Sequence, residues 1–218
     1  MGCKCAKPRT RQLETAESRR KHLSSHPLIV ERHKSYPSNI EVVREFVDTG
    51  KGHLISTTCF RRKNCNNNKE LKGMICYCQG YSSYTDWTDT DVAVTFVKLG
   101  YIFVTFDHLG HGRSDGNWLI APSDSYSAWV DDAVFIFERA KRKYTPRVYV
   151  RNNDKFHYYL LGHSLGGAIA IETSKRYTSS SYYQNVCKRL NVNKLAEPNA
   201  DDSDQALDEK SPLKQNDS

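Results

Sequence analysis

Ser164 stands inside Gly162-His163-Ser164-Leu165-Gly166, a G-x-S-x-G spacing suited to a serine that attacks a carbonyl carbon. A serine hydroxyl is a weak nucleophile at neutral pH and needs a neighbouring base to take its proton. It also needs donors for the negative oxygen that forms on attack. The two glycines keep bulk away from a tight turn in which the serine can hold unusual backbone angles. The amide of Leu165 then faces the place where an oxyanion forms, which makes Leu165 a candidate donor. What the chain withholds is the base: His163 is its last histidine, and none follows Ser164.

Strand, turn and helix must surround such a serine. Phe156-His157-Tyr158-Tyr159-Leu160-Leu161 is a short aromatic and apolar stretch that suits a buried strand. Gly166-Gly167-Ala168-Ile169-Ala170-Ile171 is small and apolar, a helix start able to pack close to a sheet. Upstream, residues 101–106 read as an apolar strand that runs into Asp107-His108-Leu109-Gly110-His111-Gly112-Arg113-Ser114. Residues 74–78 form another expected strand, ending in Gln79-Gly80-Tyr81-Ser82. A hairpin is expected from strands over 40–47 and 53–60, joined across Thr49-Gly50-Lys51-Gly52. Helices are expected over 84–99, closed by Gly100, over 123–143, and from 165 to about 177. Alternation of strand and helix from residue 73 onward implies a parallel sheet with right-handed crossovers.

These blocks resemble the monoacylglycerol lipase and lysophospholipase group of α/β-hydrolases, also called serine aminopeptidase-like hydrolases. The likeness covers residues 40–177. It is carried by the loop after residue 78, the D-H-x-G-H-G-x-S loop and the G-H-S-x-G-G elbow. It implies an α/β-hydrolase fold, present here as the N-terminal part of the sheet up to the nucleophile elbow and its helix. It also implies cleavage of an acyl ester, a monoacylglycerol or lysophospholipid. A protein-depalmitoylating thioesterase lineage is a related reading. By resemblance Ser164 is the nucleophile and the Leu165 amide half of the oxyanion hole. The other half comes from a loop usually written H-G-x-G, which puts the Tyr81 amide in the donor position. Gln79 replaces the family's histidine and Ser82 its second glycine, and both changes bear on the loop's geometry.

In this family the triad runs Ser, then an acid, then His. Neither later residue, nor the later strands and lid, has a counterpart after Tyr177. The chain is therefore expected to be a C-terminally truncated, catalytically incomplete or regulatory form. Its elbow strand would be an exposed edge prone to self-association. His108 and His111 are expected on a structural loop at the elbow's end of the sheet. His163 is expected to pack or hydrogen-bond behind the elbow, and His157 to lie on a strand, satisfied or partly exposed. The resemblance implies no cofactor.

Charge divides the rest. Residues 1–35 hold nine Lys/Arg against three Glu, a net of +6, and residues 195–218 hold seven acidic residues against two Lys, a net of −5. Three segments are expected: a basic arm over 1–35, a partial hydrolase domain over 36–180, and a polar acidic tail over 181–218, with both termini disordered. The overall +7 is thus mostly that arm. No basic stripe interleaved with aromatics appears, which argues against a nucleic-acid partner. No apolar run is long enough to span a membrane, and no ordinary secretory signal opens the chain. Met1-Gly2-Cys3-Lys4-Cys5 instead marks Gly2 for myristoylation and Cys3 and Cys5 for palmitoylation, although Ala6 departs from the usual Ser/Thr. Two acyl chains, or one with the nearby basic residues, give stable membrane binding. The expected location is the cytoplasmic face of a membrane through these lipids, or otherwise the cytoplasm. Cys59, Cys65, Cys76 and Cys78 raise the question of zinc, but Cys76 and Cys78 share one strand face with Met74, as core residues do, so no metal site is expected.

Overall fold

The computed structural model describes residues 15–34, 36–63, 71–117, 125–146 and 156–179, together with Tyr149, Gln184 and Lys188. Strands β1 (Ile40–Asp48), β2 (Leu54–Arg62), β3 (Gly73–Cys78), β4 (Tyr101–Phe106) and β5 (Tyr158–Gly162) form one sheet in the order β1-β2-β4-β3-β5. The hairpin β1–β2 and the pair β2–β4 are antiparallel, whereas β3 pairs β4 and β5 in parallel. The sheet is mixed, with the expected hairpin on one side and the expected parallel strands from residue 73 onward on the other.

Period-two alternation sorts the strand residues onto two faces. Met74, Cys76, Cys78, Ile102, Val104 and Phe106 meet α4 (Ser125–Tyr144) and α5 (Leu165–Thr178), whose Trp129, Val130, Ala133, Val134 and Ile169 complete that core. Ile75, Tyr77 and Phe103 point the other way, onto Ala93 and Val97 of α3 (Thr90–Lys98). Helix is expected from residue 84, but residues Thr85–Asp89 form a single π-helical turn before α3 begins. All three described cysteines, Cys59, Cys76 and Cys78, are buried free thiols within the first core.

β5 is one edge of the sheet among the described residues, and β1 is the other. Every residue of β3 is buried, while Tyr159 and Leu161 of β5 are exposed. Because β3, β4 and β5 run parallel, the loops at their C-terminal ends gather at one end of the sheet, where α/β proteins place their sites.

The basic arm departs from expectation in its second half. Residues 16–25 and 27–34 are helices, α1 (Ala16–Ser25) and α2 (Pro27–Lys34), and not a disordered segment. Thr15 caps α1 by accepting from the Ser18 amide at 3.2 Å. Leu23 and Ile29 are buried, as is Arg19, which finds carbonyl acceptors in the fold. Residues 1–14 and 189–218, including most of the acidic tail, lie outside the described residues.

Candidate active site

Ser164 sits where β5 ends and α5 begins, with φ 54° and ψ −125°. That conformation is sparsely populated for any residue but glycine and costs on the order of 1–3 kcal/mol, so the surrounding packing must hold it. The packing is visible. A side chain on Gly162 would strike the Gly166 backbone, and one on Gly166 would strike the carbonyls of Cys78 and Gln79. α5 therefore lies directly against the end of β3. Ser164 is exposed, and Leu165 is the first residue of α5, so its amide has no acceptor within the helix.

The loop after β3 closes on the same point. A methyl placed on Gly80 would lie 3.4 Å from Ser164 Cβ and 3.3 Å from His163 Nδ1. Tyr81 follows, half exposed, its ring 5.5 Å edge-on from that of His111. Ser82, where the resemblance expects glycine, takes φ 61°. The left-handed geometry is thus kept by a serine, at a cost of roughly 1–2 kcal/mol.

D-H-x-G-H-G-x-S braces this loop from below. His108 Nε2 donates to the Gln79 carbonyl at 3.0 Å, fixing the loop's start. The carboxylate of Asp107 accepts from the Thr85 amide and hydroxyl, each at 2.8 Å, and from the Arg113 amide at 2.8 Å, which fixes its end. Ser114 donates to the Asp107 carbonyl at 2.6 Å and accepts from the Ser56 amide at 2.8 Å, tying the brace to β2.

No histidine serves Ser164. All eight lie within the described residues, and none hydrogen-bonds to its hydroxyl. His108 is buried, with its free Nδ1 enclosed; burial, then the neighbouring His111, lowers its pKa to about 4. Burial lowers that of His111 as well. Both are neutral structural groups, as the resemblance implies. His163 differs from expectation: it is exposed beside the serine, because the turn sends successive side chains in different directions. His157 is exposed just before β5.

The buried imidazoles make stability depend on pH. An open chain binds its histidine proton near 6.5, whereas folded His108 binds one only near 4. The unfolded state holds more protons in that window, so stability present above pH 6.5 is lost as pH falls through it. The gap corresponds to about 3 kcal/mol for a fully buried group. Asp107, whose carboxyl burial pushes up, works in the opposite direction. We expect the urea midpoint to fall between about pH 7 and pH 4 and the His108→Gln variant to flatten that fall. Parallel pH profiles for the two proteins would contradict this account of His108.

Three contributors to the site escape sequence reasoning: Arg19, Arg20 and Asp86. Asp86 lies in the π-turn that follows the loop after β3 and meets Arg113 at 2.6 Å, His33 at 2.9 Å and Arg44. Burial pushes its carboxyl up, but those partners outweigh it and hold the group below the usual carboxylate range. Thr15 followed by Glu17 was a helix-start signal; nothing marked the arginines behind it as other than a solvated charge run. Gly2, Cys3 and Cys5 lie outside the described residues.

A model of the serine aminopeptidase S33 family matches residues 69–192, more than half of the chain. A stretch of 47 residues is 43% identical to caffeoylshikimate esterase of Arabidopsis thaliana, covering 22% of this chain and 14% of that enzyme. Among solved structures, Est1E of Butyrivibrio proteoclasticus with ferulic acid bound aligns over 60% of this chain and 46% of its own, at 20% identity and TM-score 0.47. Vibralactone cyclase aligns over 84% of this chain and 51% of its own, at 14% identity and TM-score 0.48. The chain thus spans about half the length of these structures. With the elbow and its loops in place, the family match gives the conclusion that the chain belongs to the serine aminopeptidase S33 family of α/β-hydrolases.

Proposed function

We propose that this chain carries the nucleophile half of a serine esterase. Ser164 loses its proton to solvent water and attacks the ester carbonyl, and the amides of Leu165 and Tyr81 receive the oxyanion. The C–O bond breaks as the alcohol leaves with a proton from solvent, and water then hydrolyses the acyl-serine to the free acid and Ser164. The observation that carries the reading is Ser164 held at φ 54° with the Gly80 loop packed against it. Such strain persists where the surrounding structure over-determines it, as at reacting centres. The short match to a plant esterase supports an ester substrate. The proposed class is a monoacylglycerol or lysophospholipid, reached from a membrane surface.

One observation favours a second reading for the chain acting alone. Without a histidine on Ser164, proton removal is unassisted, and turnover falls to what binding and oxyanion donors supply. Hydrolysis of a monoacylglycerol and of a short-chain ester, by wild type and by Ser164→Ala, tests both readings. We expect a slow, Ser164-dependent rate on each ester. Equal rates for the two proteins would remove the esterase reading, and fast wild-type turnover would remove the incomplete one.

The membrane part of the proposal rests on Gly2, Cys3 and Cys5. Myristoylation of Gly2 places the cysteines at the bilayer, where a second acyl chain makes binding stable. In eukaryotic cells wild type is expected to sediment with membranes and Gly2→Ala to remain soluble. Identical fractionation of the two would contradict the anchor.

A further inference from the structure

α1 reads the backbone of the brace loop with two arginines. Arg19 Nε donates to the Gly112 carbonyl at 3.1 Å and its second terminal nitrogen to the Ser114 carbonyl at 2.6 Å. Between them, Arg20 Nε donates to the Arg113 carbonyl at 2.7 Å, and its terminal nitrogen meets Asp115 at 2.6 Å. Three consecutive carbonyls are therefore claimed by adjacent residues of one helix more than 90 positions away. Arg113 returns the contact, donating to the Ser24 hydroxyl at 2.7 Å and the Arg20 carbonyl at 3.3 Å.

Arg19 is 2% exposed. A guanidinium taken out of water is costly unless its donors are met, so this fork holds the loop to one shape or is not buried at all. The shape matters because the same Arg113 carries the load onward. Its side chain grips Asp86 and its amide meets Asp107, which also holds Thr85. Thr85 and Asp86 are the residues immediately beyond the oxyanion loop. α2 joins at the same place through His33 on Asp86. The path from α1 to the loop is thus continuous: Arg19 and Arg20, the backbone at 112–114, Arg113, then Asp86 and Asp107, then the loop's end.

The geometry points to α1 as a strap on the oxyanion loop, with Arg19 and Arg20 as positioning residues that keep the Tyr81 amide aimed at Ser164. This deepens the esterase reading and rests on Tyr81 being a donor. Neither arginine touches the reacting atoms. Each acts through Arg113 by denying the loop at 112–115 its alternative shapes, which matters more where Ser82 already holds a strained φ.

Hydrogen exchange and labelling together test the strap. Exchange of the peptide spanning 79–89 reports local opening of the loop whatever the chemistry does. Labelling of Ser164 by a fluorophosphonate reports the donating geometry. In Arg19→Gln and Arg20→Gln we expect loop exchange to rise about fivefold or more, with β3 and α4 amides unchanged. We expect labelling to slow about tenfold in the same variants. Arg20 is partly exposed, so Arg20→Gln serves as the readable variant if Arg19→Gln fails to fold. Exchange that rises in α1 alone, leaving 79–89 at the wild-type rate, would overturn the strap. A wild type that takes no label at all would overturn the esterase reading, while the exchange result would still decide the strap.

Discussion

Gly166→Ala is expected to lower the urea midpoint sharply, while Gly167→Ala, one position along, is expected to be tolerated. A Cβ on Gly166 would meet the backbone carbonyls of Cys78 and Gln79, inside any contact distance that real side chains show. The obstruction is backbone at the end of β3, so no flexible side chain can swing aside. Relief requires α5 to lift from β3, opening the packing around Ile169 and removing the support of Ser164. Overpacking of a well-filled core costs about 1–3 kcal/mol, and more where backbone must move. That is a large share of the roughly 5–15 kcal/mol available to a domain. On Gly167 the nearest neighbour of a Cβ would be the Gly162 carbonyl at 3.6 Å, an ordinary contact. There alanine also removes glycine's helix penalty, worth up to about 1 kcal/mol. Urea titration of the two variants beside wild type checks the pair. Two similar midpoints would show that α5 does not approach β3 as closely as the structure has it.

This pair also shows what sequence can and cannot disclose. The elbow was legible because each residue type in it answers a local demand. Glycines stand where backbones touch, a strand precedes and a helix follows, and those demands are written within a few positions of each other. Strand β5 itself was legible too, from the aromatic and apolar run that leads into the elbow. Ser82 was not: its φ of 61° is set by the loop it closes, and serine carries no signal for that region. Nor was the outward turn of His163, which depends on the Ser164 backbone rather than on residue type. The role of Arg19 was the least legible. Its partners are carbonyls, which every residue has, and they lie far along the chain. Nothing local separates a buried fork from a charge in water.

The esterase reading makes Ser164 the residue on which all acyl chemistry of this chain depends. It also holds that none of the eight histidines activates it. Donors preset for an oxyanion leave the hydroxyl reactive toward a strong electrophile, but slowly, because its proton has no acceptor. A base supplied from solution should therefore help. The most direct measurement is intact-protein mass spectrometry of wild type and Ser164→Ala during exposure to a fluorophosphonate, with and without added imidazole. The account predicts a single slow adduct mapped to Ser164, faster with imidazole and missing from Ser164→Ala. Rapid labelling without imidazole would contradict the claim that the base is missing, and no adduct at Ser164 under either condition would contradict the elbow as a reacting centre.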